Sequence, residues 1–184
     1  MSAEDRRELV LDAAVAAFAE GGYPGTTTDQ VARRAEVSQP YVVRMFGSKQ
    51  ALFLAVHRRV LDAIVRAFTE AAVPGAGEEN LTRLADAYVD LIEDRDLLRV
   101  LQHGFSLGAD PELGPPMRAG LVRIFELIQG LTGVDVERAR DFLAQGMLIN
   151  TLVALRLPEH MDARSEGLVK CVLADRFGRQ VDQR

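Results

Sequence analysis

The sequence predicts an all-α protein of about nine helices, on three observations. Every segment with a clear apolar period has the helical one, and no stretch alternates at period two for long enough to make a sheet. Gly, Pro and capping residues also punctuate the chain where such helices should begin and end. Leu9, Val10, Ala13, Ala14, Ala17 and Phe18 form the first stripe, opened by a Ser2/Asp5 capping pair and closed by Gly21-Gly22. After Pro24-Gly25, Thr27-Thr28-Asp29-Gln30 matches a capping box and opens a short helix through Ala35. Glu36-Val37 makes a tight turn, and Ser38 caps a helix over 39–45. Pro40 sits in that helix's first turn, where a missing N–H costs nothing. Ser48 caps a long helix to about Ala71, with Leu52, Val56, Val60, Leu61, Ile64, Val65 and Phe68 on one side.

The Val73-Pro74-Gly75-Ala76-Gly77 stretch breaks the helical pattern. Beyond it, Leu81, Leu84, Ala85, Tyr88 and Ile92 define one helix, and Leu97, Leu98, Leu101 and Phe105 the next. Asp110-Pro111-Glu112 and Pro115-Pro116 lead into a helix with Met117, Leu121, Ile124, Phe125 and Ile128 on its face. Asp135 caps a helix running to about Leu157, with Phe142, Leu143, Met147, Val153 and Ala154 expected inward and Pro158 stopping it. A last helix holds Leu168, Val172, Leu173 and Phe177.

The chain has 184 residues, 48% of them apolar and 27% charged, the balance of an ordinary soluble globule. That length accommodates a small domain and a medium one, divided into 1–47 and 48–184. No apolar run reaches a membrane span, and the first residues lack the apolar core of a signal peptide. The lone Cys171 excludes an internal disulfide framework, so a cytoplasmic location is expected. A net charge of −5 argues against broad attraction to nucleic acid. Between Thr26 and Lys49, however, Arg33, Arg34, Arg44 and Lys49 outnumber Asp29 and Glu36. DNA binding would therefore come from a small, placed surface.

That same segment reads short helix, tight turn, second short helix, then a capped third. In a helix-turn-helix the second helix enters the major groove and presents its N-terminal residues to base edges. Here those residues are Ser38, Gln39, Pro40 and Tyr41, with Arg44 one turn on. Gln39 offers a donor and an acceptor together, which suits adenine, and Arg44 suits guanine or a phosphate. Thr27 and Thr28 at one helix start, and Ser48 with Lys49 at another, place N–H groups and an ammonium where the dipole favours phosphate. Spacing alone leaves a merely well-capped helical hairpin as an even alternative.

The stretch Ala13-Ala14-Val15-Ala16-Ala17-Phe18-Ala19-Glu20-Gly21-Gly22-Tyr23, then Thr26-Thr27-Thr28, Val31-Ala32-Arg33-Arg34-Ala35-Glu36-Val37-Ser38 and Phe46-Gly47-Ser48-Lys49-Gln50-Ala51-Leu52 resembles the signature of the tetracycline-repressor (TetR) family. The resemblance covers roughly the first fifty residues. It implies a homodimer with a three-helix DNA-binding domain and a six-helix regulatory domain whose last two helices dimerise. Most relatives are repressors released by a small ligand. This chain has Val43 and Met45 where the family usually has Tyr and His, so those contacts are not carried over. Their groove and phosphate roles fall to Tyr41 and Arg44, and Glu36 replaces the usual turn glycine.

In the larger domain, Gln102 and Asn150 interrupt apolar stripes and need partners if buried. An inter-helix hydrogen bond is one account; a polar anchor in an apolar effector pocket is the other. With Tyr88 and His103 they form the candidate effector site, for an effector of apolar character. Gly146 costs helix propensity, which close approach of another helix would justify. With the dimer arrangement that the resemblance implies, Phe142, Gly146, Met147, Leu168 and Val172 are the candidate interface. His57, His103, His160 and Cys171 match no metal-ligand spacing, so neither a metal nor a cofactor is expected, and no catalytic constellation is present. Two alternatives stand beside a ligand-responsive regulator on a palindromic operator. One is a helical small-molecule-binding protein or enzyme without specific DNA binding. The other is a DNA-binding protein whose C-terminal core is closed to ligands.

Overall fold

The computed structural model describes residues 2–173, and over them the chain is all-α, with no strand. The helices are α1 (Ala3–Gly25), α2 (Thr28–Arg34), α3 (Gln39–Phe46), α4 (Lys49–Ala71), α5 (Asn80–Leu91), α6 (Arg95–Ser106), α7 (Gly114–Thr132), α8 (Val136–Ala154) and α9 (Glu166–Leu173). Short 3-10 turns at Gly77–Glu79 and Leu157–His160 fill two of the connections. Phe177, expected in the last helix, lies outside the described residues. Among the described helices none is long and apolar enough to cross a membrane.

Local chemistry explains most helix ends. At the start of α1 the Asp5 N–H donates to Ser2 Oγ at 3.0 Å, and the Ser2 N–H to Asp5 Oδ2 at 2.6 Å, a full capping box. Thr27 and Gln30 repeat that arrangement on α2. Gly22 breaks α1 with φ 62° and ψ −176°, a conformation reserved to glycine, and the chain then makes one more turn to Gly25. Thr26 Oγ1 donates to the Ala17 carbonyl at 3.0 Å, pinning the segment after the break against the helix.

Three sequence expectations fail wholly or in part at this level. Ser38 occupies the N-cap of α3 with extended backbone, but its hydroxyl makes no capping bond. The α8 helix ends at Ala154 rather than near Leu157, because Arg156 turns left-handed at φ 54° before Pro158 is reached. Its inward face is broader than the expected one. Phe142, Leu143 and Met147 line the core cavity and Val153 is buried, but Ile149 and Leu152 are buried too, Met147 also reaches the surface at 41% exposure, and Ala154 is exposed.

The core runs through both halves of the molecule. Helix α4 packs against α1, α3, α5, α6 and α7, and α1 also packs along α6. Phe18 of α1 meets Phe53 of α4 edge-on with ring centroids 5.1 Å apart. Arg59 of α4 clasps Glu8 and Asp12 of α1 at 2.9 and 2.6 Å. The first three helices are thus seated on the fourth and sixth through both apolar and ionic contacts.

Candidate nucleic-acid interface and core cavity

The α2–α3 unit is held from beneath by buried Val31, Ala32, Ala35 and Val42. Its turn is a Schellman motif: the Val37 N–H donates to the Ala32 carbonyl at 2.9 Å and the Glu36 N–H to the Arg33 carbonyl at 3.2 Å. The motif requires a left-handed residue, and Glu36 supplies it at φ 54°. The outward face of α3 carries exposed Ser38, Pro40 and Arg44, with Gln39 and Tyr41 half-buried. Gln39 Nε2 donates to Thr28 Oγ1 at 3.2 Å, which fixes the amide at the head of the helix. The Arg44 guanidinium lies 5.2 Å from the Tyr41 ring centre, a stacked pair on one face.

The phosphate candidates differ from one another in availability. The Thr27 N–H is already bonded to Gln30 Oε1 at 2.7 Å, and Thr27 Oγ1 accepts from the Gln30 N–H. Ser48 caps α4 through the Ala51 N–H at 3.0 Å. Lys49 Nζ sits 4.6 Å above the Tyr23 ring and 3.4 Å from the Pro24 carbonyl, so its ammonium stands beside the end of α1. Arg33 and Arg34 are paired with Asp29 and Glu20, which leaves Arg44 and Lys49 as the cations of this face without a carboxylate partner among the described residues.

Between α4, α5, α6, α7 and α8 lies an apolar cavity of about 50 Å³. Two of the four effector candidates line it. Tyr88 donates from its hydroxyl to Asn150 Oδ1 at 2.7 Å, and burial pushes the tyrosine up to about 12. Gln102 stands outside the lining but donates to the Asn150 backbone carbonyl at 3.0 Å, tying α6 to α8. The inter-helix hydrogen bonds are thus present at Asn150, whose side chain also lines the cavity. His103 is elsewhere. Its Nε2 is 3.3 Å from the Ala19 carbonyl, and its ring covers the α1 break at Gly22, where an added Cβ would come within 3.2 Å.

Of the interface candidates, Phe142 meets Phe68 edge-on at 6.2 Å, and both Phe142 and Gly146 line the cavity. The nearest atom to a Cβ at Gly146 would be Tyr88 Cε1, at an ordinary 3.7 Å. Met147 lines the cavity and reaches the surface, Leu168 is 46% exposed, and Val172 is half-buried. Among the described residues no cluster of His, Cys, Asp or Glu is placed to hold a metal ion.

His57, considered from the sequence only as a metal ligand, is the most distinctive residue of the cavity wall. It is 4% exposed, and burial lowers its imidazole to about 4. Its ring lies between α6 and α7, where a Cβ at Gly104 would come within 2.9 Å and one at Gly120 within 3.4 Å. The signal was available: Phe53, His57, Leu61, Ile64 and Phe68 recur at helical spacing.

Residues 10–56 match the model for bacterial regulatory proteins of the tetR family. Over 179 residues the chain is 28% identical to the transcriptional activator FasR of Mycolicibacterium smegmatis, covering 91% of this chain and 81% of FasR. It is 42% identical over 57 residues to the regulator BetI of Burkholderia cenocepacia, covering 31% of this chain and 29% of BetI. A TetR-like transcriptional regulator from Rhodococcus sp. RHA1 superposes with a TM-score of 0.69 at 25% identity, over 83% of this chain and 84% of that one.

Proposed function

Since this chain belongs to the TetR family of bacterial transcriptional regulators, we propose that it acts in the cytoplasm as a homodimeric repressor of a palindromic operator, released by a small-molecule effector. The observation that carries the reading is the outward face of α3. There Gln39 is held by Thr28, and Arg44 stacks on Tyr41, at the positions a helix-turn-helix gives to the major groove. Arg44 and Tyr41 contact DNA, Gln39 reads a base edge, Ser38, Pro40, Thr27 and Thr28 shape the contact, and Lys49 takes a phosphate. Residues 1–47 form the reading head and 48–184 the effector-binding and dimerisation domain. Exposed Met147 and Leu148 on α8 and Leu168 on α9 support dimerisation through these neighbouring helices. Two recognition helices about 34–36 Å apart then meet successive major grooves.

The test is titration of the protein's own upstream DNA at several salt concentrations, with wild type and the Tyr41→Ala/Arg44→Ala variant. Specific binding lost in the double variant, with helical content intact by circular dichroism, is the expected result. No specific binding by the wild type at any salt overturns the reading. The sign of regulation is a separate measurement, because FasR is by name an activator; a promoter fusion that falls silent without the protein overturns repression.

One observation favours a second reading of the C-terminal domain. A cavity of about 50 Å³ is well below the ~300–1,000 Å³ usual for ligand sites. An effector must spread the helices to enter, moving the operator equilibrium by its preference for the spread state. If no small molecule enters, the domain serves dimerisation alone.

A further inference from the structure

The cavity's wall specifies the chemistry of what enters it; this inference rests on the effector-release reading above and refines it. From α4 the wall takes His57, Leu61, Ile64 and Phe68, which span about 16 Å along the helix axis at 1.5 Å per residue. The wall is therefore drawn out along α4. Met117 and Met147 contribute side chains that adapt to an inserted shape. No Asp, Glu, Lys or Arg is on the lining. An ion buried there would have no counter-charge, and burial of an unpaired ion is prohibitive.

Two polar side chains on this wall have hydrogen-bonding capacity left over. His57 is 4% exposed, wedged beside Gly104 and Gly120, and makes no hydrogen bond among the described residues. Its low titration point, caused by burial alone, keeps it neutral, with one nitrogen donating and one accepting. Asn150 is 4% exposed as well. Its Oδ1 is taken by the Tyr88 hydroxyl, while its side-chain N–H donors have no partner among the described residues. No side-chain nitrogen or oxygen sealed from solvent lacks a partner among the described residues, so these unpaired atoms keep some accessible surface; on a cavity wall such an atom marks where a ligand atom belongs.

We propose that the effector is an uncharged, elongated, largely apolar molecule whose hydrogen-bonding groups meet the His57 imidazole and the Asn150 amide, and that anionic analogues of the same shape are excluded.

The test uses the full chain and three probes: diphenylhexatriene, a rod-shaped fluorescent hydrocarbon with no hydrogen-bonding group, and 1-decanol and decanoate as competitors at neutral pH. Saturable diphenylhexatriene binding, with 1-decanol displacing it at least about tenfold better than decanoate, is expected. His57→Leu should retain the hydrocarbon and weaken 1-decanol severalfold, a split that mere loss of packing would not give. Asn150→Leu reads the second anchor in the same way. Decanoate competing as well as 1-decanol overturns the proposal and leaves effector release standing. Equal weakening of hydrocarbon and alcohol in both variants overturns the anchors. If neither diphenylhexatriene nor 1-decanol binds, this proposal is overturned and effector release by a molecule of other chemistry stands, while operator binding is decided separately by the titration above. Should neither variant fold, the wild-type preference between alcohol and carboxylate decides the ligand class.

Discussion

Glu36 is the residue where sequence and backbone disagree most openly. Its left-handed φ of 54° is needed to close α2, yet a side chain there costs about 1–2 kcal/mol. Glu36→Gly removes that strain, and glycine's extra freedom in the unfolded chain takes back about 0.5–1 kcal/mol. The expected result is a gain of about 0.5 kcal/mol in thermal denaturation. A tighter operator titration should accompany it, since a carboxylate leaves the turn next to the proposed reading helix. A lower midpoint would show that the Glu36 side chain contributes more than its backbone costs. At His57 the consequence is in pH. The folded imidazole titrates near 4, below its unfolded value of about 6.5, so between the two the unfolded chain binds more protons. The stability from keeping this ring neutral is whole above pH ~6.5 and declines as pH falls toward 4, by about 3 kcal/mol at most. His57→Gln, which cannot titrate, should flatten that part of the stability–pH profile; an unchanged slope would place its origin in other groups.

The α1–α6 seam is the element most exposed to a single change. Gly22→Ala meets two obstacles, a backbone conformation that only glycine adopts and the His103 ring within 3.2 Å of the new Cβ. A loss of about 2–3 kcal/mol in chemical denaturation is expected. Adding His103→Ala should recover the steric part and leave the backbone part, so full recovery would mean the conformation itself costs little. Helix starts at this scale were legible from sequence. The Ser2/Asp5 and Thr27/Gln30 boxes and the Ser48 cap depend on neighbours three residues away, and all are present. What depends on packing was less legible. The α8 face differs from the expected one at Ala154, which is exposed, and at Ile149 and Leu152, which are buried, because that helix has apolar residues around most of its surface. His103, a candidate for the effector site, is turned away from the cavity and against α1. Nothing local distinguishes those two sides; the position of α1 does.

Across the whole molecule, a body of net charge −5 is expected to bind DNA through very few cations. Arg33 and Arg34 are occupied by Asp29 and Glu20, which leaves Arg44 and Lys49 as the cations of each recognition face in a proposed dimer. Four phosphate neutralisations give a slope of about −3.6 in log affinity against log salt. A slope of about −7 would mean the paired arginines exchange their carboxylates for DNA. The sharing of α4 has one further consequence, for modularity. Phe18 in the first helix meets Phe53 in the fourth, and Glu8 and Asp12 reach forward to Arg59. A chimera joined at residue 47 would sever these pairs and strand the reading unit without its floor. A transplant that keeps specificity has to carry the chain through Arg59, together with a recipient α6 that offers a histidine, or its equivalent, to the bend at Gly22.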